Sequence, residues 1–137
     1  MHLNYLGVLA AAIAAWVAGS IWYGVLSKPW IAALGWTQAD VTGPDGKRRM
    51  PVAPMIISFV AEIIMAVGLA YLMVMLGWAS IGGGALVGAG CWLAFVITTQ
   101  AVNNGFQKRT AALTVIDGGH WLVVLVLEGI VLGLMGP

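Results

Sequence analysis

The chain has 137 residues, 61% of them hydrophobic and 8% charged, with a net charge of +1. With its 19 glycines, roughly three-quarters of it is apolar or glycine, against about half in soluble domains, where charge makes up about a quarter. That leaves too little polar surface to cover a soluble core, so a soluble globular domain, a disordered chain and a coiled coil are all excluded. The expected class is an all-α membrane protein, with residues 1–137 forming a single transmembrane domain. No basic face is large enough to follow nucleic-acid phosphates. The single cysteine, Cys91, excludes an internal disulfide, a CxxC pair and a cysteine-based zinc site.

Four segments approach the ~20 apolar residues needed to cross a ~30 Å hydrocarbon core. They cover about 5–26, 53–76, 81–102 and 111–135. Membrane strands are about 9–11 residues long and alternate in polarity, so these are helices. Residues 1–5 lack the basic n-region of a signal peptide, so the first span is expected to be retained. It carries Ala11, Ala15 and Gly19 at spacings of four, small residues that allow close helix packing in lipid. Ser27-Lys28-Pro29 reads as a helix start with serine as N-cap, and Gly35 as its stop. A short interfacial helix is therefore predicted over 27–34, with Trp22, Tyr23, Trp30 and Trp36 as anchors at the membrane interface. Thr37 and Asp40 have the spacing of a capping box, and residues 42–46 form an exposed turn.

The second span holds Glu62, and its methionines (Met55, Met65, Met73, Met75) spread round the helix as packing residues. The third carries Gly84 and Gly88, then Gly90 and Ala94, and descends through Thr98, Thr99 and Gln100 to Asn103 and Asn104. The fourth carries Asp117, His120 and Glu128, with Gly129 and Gly133 as a further packing ridge. Three such ridges in so short a chain predict a homo-oligomer, a dimer in the first instance. All six basic residues fall between spans one and two (Lys28, Lys47, Arg48, Arg49) or three and four (Lys108, Arg109). The positive-inside rule makes these loops cytoplasmic and puts both termini outside.

Ionisable side chains at membrane depth mark function by default. At 1.5 Å per residue, Glu62 and His120 each lie roughly 13 Å inside the cytoplasmic end of their spans, with Asp117 one turn shallower. A cytoplasm-facing pocket of Glu62, Thr98, Thr99, Asn103, Asp117 and His120 is expected. On the fourth helix Asp117 and His120 are about 60° apart and Glu128 returns to within about 20° of Asp117. That stripe would let Asp117 orient His120, with Glu128 as an outer relay. The same residues would also serve as a mutually bonded structural cluster that fixes helix register. His2 is terminal, and a lone intramembrane histidine excludes bis-histidine haem. No metal and no cofactor are expected. The absence of a phosphate-binding loop, nucleophile elbow or kinase signature argues against an enzyme.

Two blocks carry a family resemblance. The first is Asn4-Tyr5, Trp22-Tyr23-Gly24, Lys28-Pro29-Trp30 and Gly35-Trp36-Thr37. The second is Thr98-Thr99, Asn103-Asn104-Gly105-Phe106, Ile116-Asp117-Gly118-Gly119-His120-Trp121, Gly129 and Leu132-Gly133. Over nearly its whole length the chain resembles a family of small four-helix bacterial inner-membrane proteins known as a domain of unknown function. The resemblance implies the fold and the inner membrane and carries no activity. The chain departs from that family at Asp117 and His120, where Asn and Tyr are commoner, and at Glu128, where an apolar residue is usual. The function expected is translocation of a proton, ion or small polar solute through the pocket. The alternative is a non-transporting accessory subunit of a larger membrane complex that binds partner helices, lipids or pigments. Besides the lipid bilayer, the expected partners are a second copy or such a complex.

Overall fold

The computed structural model describes residues 3–47, 49 and 51–137; His2 and Arg48 lie outside the described residues. The described residues form helices and no strand, with α1 (Tyr5–Val25), α2 (Ser27–Ala33), α3 (Val52–Leu76), α4 (Ile81–Phe106) and α5 (Ala111–Met135). All but α2 are long and apolar enough to cross a membrane. The spans fall within a residue of their predicted bounds except α4, which runs four residues further, to Phe106. Its polar end stays helical because the Asn104 side chain donates to the Thr114 hydroxyl (2.9 Å). The chain then turns at Lys108, which has φ +53.

Helix α5 is the central element and touches every other span. Glycine is the reason. Gly84 of α4 and Gly129 of α5 meet backbone to backbone, so a Cβ on either would overlap the other's carbonyl oxygen. Gly88 lies in the same way against the Leu125 carbonyl, and Gly133 against the Ser80 carbonyl. Ala11, Ala15 and Gly19 of α1 are fully buried, Gly19 facing His120 of α5. The three predicted ridges thus work inside the chain. Only Gly90, with no neighbour within 4 Å, and the exposed Ala94 face outward. At the end that holds the chain termini the Asn4 side chain caps α1 by accepting from Gly7 N–H (3.0 Å) and donates to the Met135 carbonyl (2.9 Å).

At the other end the two basic loops meet. The Thr110 hydroxyl, which caps α5, donates to the Ala33 carbonyl of α2 (3.0 Å). Helix α2 follows α1 after a single break at Leu26, and Ser27 is already helical and caps nothing, contrary to its expected role. Proximity to the end of α1 leaves no extended residue for a side-chain cap. Gly35, at φ +74, ends the segment. The expected capping interaction at Thr37 forms: its N–H (2.6 Å) and its hydroxyl (2.7 Å) both donate to Asp40 Oδ2.

Two outcomes test this packing and this cap. Gly84→Val should destabilise the protein at the upper end of the ~1–3 kcal/mol typical of overpacking, whereas Gly90→Ala, in open space, should be neutral or slightly stabilising. Reversible unfolding in detergent measures both. The hydrogen bonds from Thr37 hold the exposed Asp40 carboxyl below its usual range. A carboxyl lowered on folding contributes stability at neutral pH and loses it as pH falls through the lowered value. The turn at 38–41 should therefore fray on acidification, seen as a shift of the Thr37 amide resonance that Asp40→Asn abolishes.

Candidate functional site

The buried face of α3 runs through Glu62, Ala66, Leu69, Ala70 and Met73, the i, i+4, i+7 stripe of a core-facing helix. Glu62 therefore points into the bundle, where it is 1% exposed. Glu128 lies next to Gly129 on α5, whose close approach to α4 carries it inward to 0% exposure. Glu62 Oε2 and both oxygens of Glu128 are buried without a hydrogen-bond partner. The surrounding core is apolar, built from Val8, Ala11, Ala66, Leu69, Leu125 and Leu132. Burying a carboxylate unpaired is costly, and a group in that position is relieved by taking a proton or a cation.

A second polar group lies nearer the basic loops. Asp117 Oδ1 accepts from the Tyr23 hydroxyl (2.8 Å) and from Trp30 Nε1 of α2 (3.0 Å). The turn around it is gripped from two sides. Trp22 Nε1 of α1 donates to the Ile116 carbonyl (3.1 Å), and Trp92 Nε1 of α4 to the Gly118 carbonyl (2.7 Å). His120 sits one turn deeper, its ring 4.8 Å from those of Tyr23 and of Trp121. Its Nε2 is against Gly19 and its Nδ1 is buried without a partner.

This arrangement corrects three expectations. Asp117 does not bond to His120: its carboxyl is turned toward Tyr23 and α2, while the imidazole is held in the notch at Gly19. Thr98, Thr99 and Asn103 do not join the pocket. They are exposed and, with Val102, line a shallow groove on the outside of α4. The face turned to α5 is that of Ile97, Gln100 and Asn104, because a π-turn at Trp92–Val96 adds a residue to one turn and rotates the rest of the helix. Trp22, Tyr23 and Trp30 are donors to α5 rather than simple anchors, whereas the exposed Trp36 packs edge-on against Trp30 at 6.3 Å. Trp92 and Gln100 were not singled out by sequence. The only signal was chemical, since an indole N–H or an amide at membrane depth needs an acceptor. Among the described residues no group of three or more His, Cys, Asp and Glu side chains is placed to hold a metal.

Three apolar helices around a glycine-packed fourth, with ionisable groups in the core, define a multi-pass membrane protein. The chain belongs to the family described as protein of unknown function (DUF1761), whose sequence pattern matches residues 6–133. No curated protein and no solved structure matches it.

The notch at Gly19 gives a direct test. A Cβ there would lie 2.6 Å from His120 Nε2, so Gly19→Ala should push the imidazole from between Tyr23 and Trp121. Loss of the ring-current shifts of the His120 protons in NMR is the expected result; unchanged shifts would contradict this packing.

Proposed function

We propose that the protein handles protons within the bacterial inner membrane, its basic loops in the cytoplasm. One observation carries this reading: Glu62 and Glu128 are both buried in the bundle core, with three carboxyl oxygens that have no hydrogen-bond partner. The tight packing favours the smallest of the three solutes expected from sequence. A calcium or magnesium ion takes about six oxygen ligands or more, and the apolar residues around the two carboxyls add no side-chain oxygen. In this reading Asp117, held by Tyr23 and Trp30, is the cytoplasmic station. His120 is the group between it and the Glu62–Glu128 pair. Intramembrane carboxyl and imidazole chains of this kind are the material of proton relays.

The test is proton flux into proteoliposomes followed with an enclosed pH-sensitive dye. Glu62→Gln and Glu128→Gln, which keep size and shape, should each reduce flux to that of protein-free vesicles, and His120→Ala should do the same. Flux unchanged in all three variants would remove these groups from any translocation path.

A further inference from the structure

The groups assigned to proton handling are not connected. No hydrogen bond links Asp117 to His120, and neither His120 Nδ1 nor the carboxyl oxygens beyond it have a partner. A proton reaches them only if something moves. Helix α4 divides into two unlike halves. In Ile81–Cys91, Gly84, Val87 and Gly88 are buried and two glycines lie on the backbone of α5. In Ile97–Phe106 no residue is buried. Between them the helix changes its hydrogen bonding: the Ile97 amide donates to the Trp92 carbonyl, five residues back instead of four. Such π-turns are weak points in a helix and recur at functional sites.

The inner half is held to α5 by few contacts. Ile97 and Gln100 rest on Gly118, Gln100 Oε1 is buried without a donor, and Asn104 bonds to Thr114. Trp92 pins the hinge itself through its bond to the Gly118 carbonyl. Gly118 directly follows Asp117 and is two residues from His120, so whatever lifts off it uncovers that turn of α5. Thinly packed segments with unsatisfied polar groups open at low free energy.

We propose that Ile97–Phe106 is a gate that swings about the π-turn at Trp92–Val96, opening the Asp117–His120 turn to the cytoplasmic side while Ile81–Cys91 stays locked on α5. The gate rests on the proton-handling reading, and its test separates the two. In a Cys91→Ala background, Asn104→Cys and Thr114→Cys are joined by a short bifunctional thiol reagent. The joined protein should pass protons no faster than empty vesicles, and the unjoined protein, which lacks the Asn104–Thr114 bond that holds the gate, at least as fast as wild type. Independently of flux, backbone amides of 97–106 should exchange with deuterium about tenfold or more faster than those of 81–91, and faster still in Trp92→Phe. Full flux through the joined protein overturns the gate, as does equal exchange in the two halves. If wild-type protein carries no proton flux, the proton reading falls and the exchange comparison alone decides the gate.

Discussion

In hydrocarbon, apolar side chains gain nothing by leaving lipid for one another, so spans associate through contacts that side-chain hydrophobicity cannot supply. Here that contact is backbone on backbone. Gly84 against Gly129, with Gly88 and Gly133 on either side, lets α4 and α5 approach until carbonyls fill the space where side chains would stand. The position of α5 follows from it, and the remaining spans arrange themselves around that pair. Because Glu128 immediately precedes Gly129, the same approach buries its carboxyl in the core. The acidic pair is therefore a product of helix packing, and its burial could not be relaxed without separating the two glycines.

The polar groups at membrane depth sort into two populations. The Trp22 and Trp92 indoles, the Tyr23 hydroxyl, the Asn104 amide and the Thr110 hydroxyl each find an acceptor on another segment, and together they knit the end of the bundle that carries the basic loops. Glu62, Glu128, His120 and Gln100 retain unpartnered atoms. A purely structural cluster would be expected to bond internally, because each unmade hydrogen bond in a dry interior costs free energy. These four form no such cluster; two are buried in the core, one lies in a notch, and one sits under the loosely packed half of α4.

The fold was legible because its signals are strong and local. Twenty-residue apolar runs, Gly35 at a stop and Thr37 with Asp40 at a start each determine something within a few residues. That Glu62 and Glu128 lie within helical spans was equally readable. Facing was not. Counting 100° per residue along the third span assumes unbroken α-helix, and the π-turn at Trp92–Val96 displaces the later residues, so Thr98, Thr99 and Asn103 emerge outside and Gln100 and Asn104 inside. The spacing of Asp117 and His120 on one helix was correct, yet it did not reveal that Tyr23 and Trp30, about 90 residues earlier, compete for the same carboxylate. Partner choice across helices is set by tertiary packing, on which spacing within one helix is silent.

Gly19 is the place where α1 makes room for the His120 ring, and the two residues share one volume. A side chain at 19 and a ring at 120 exclude each other, so changes at these positions are epistatic: one that is harmful alone becomes tolerable once the other has shrunk. Among relatives, positions 19 and 120 are accordingly expected to change as a pair, and a chain that has lost the glycine will have lost the ring as well.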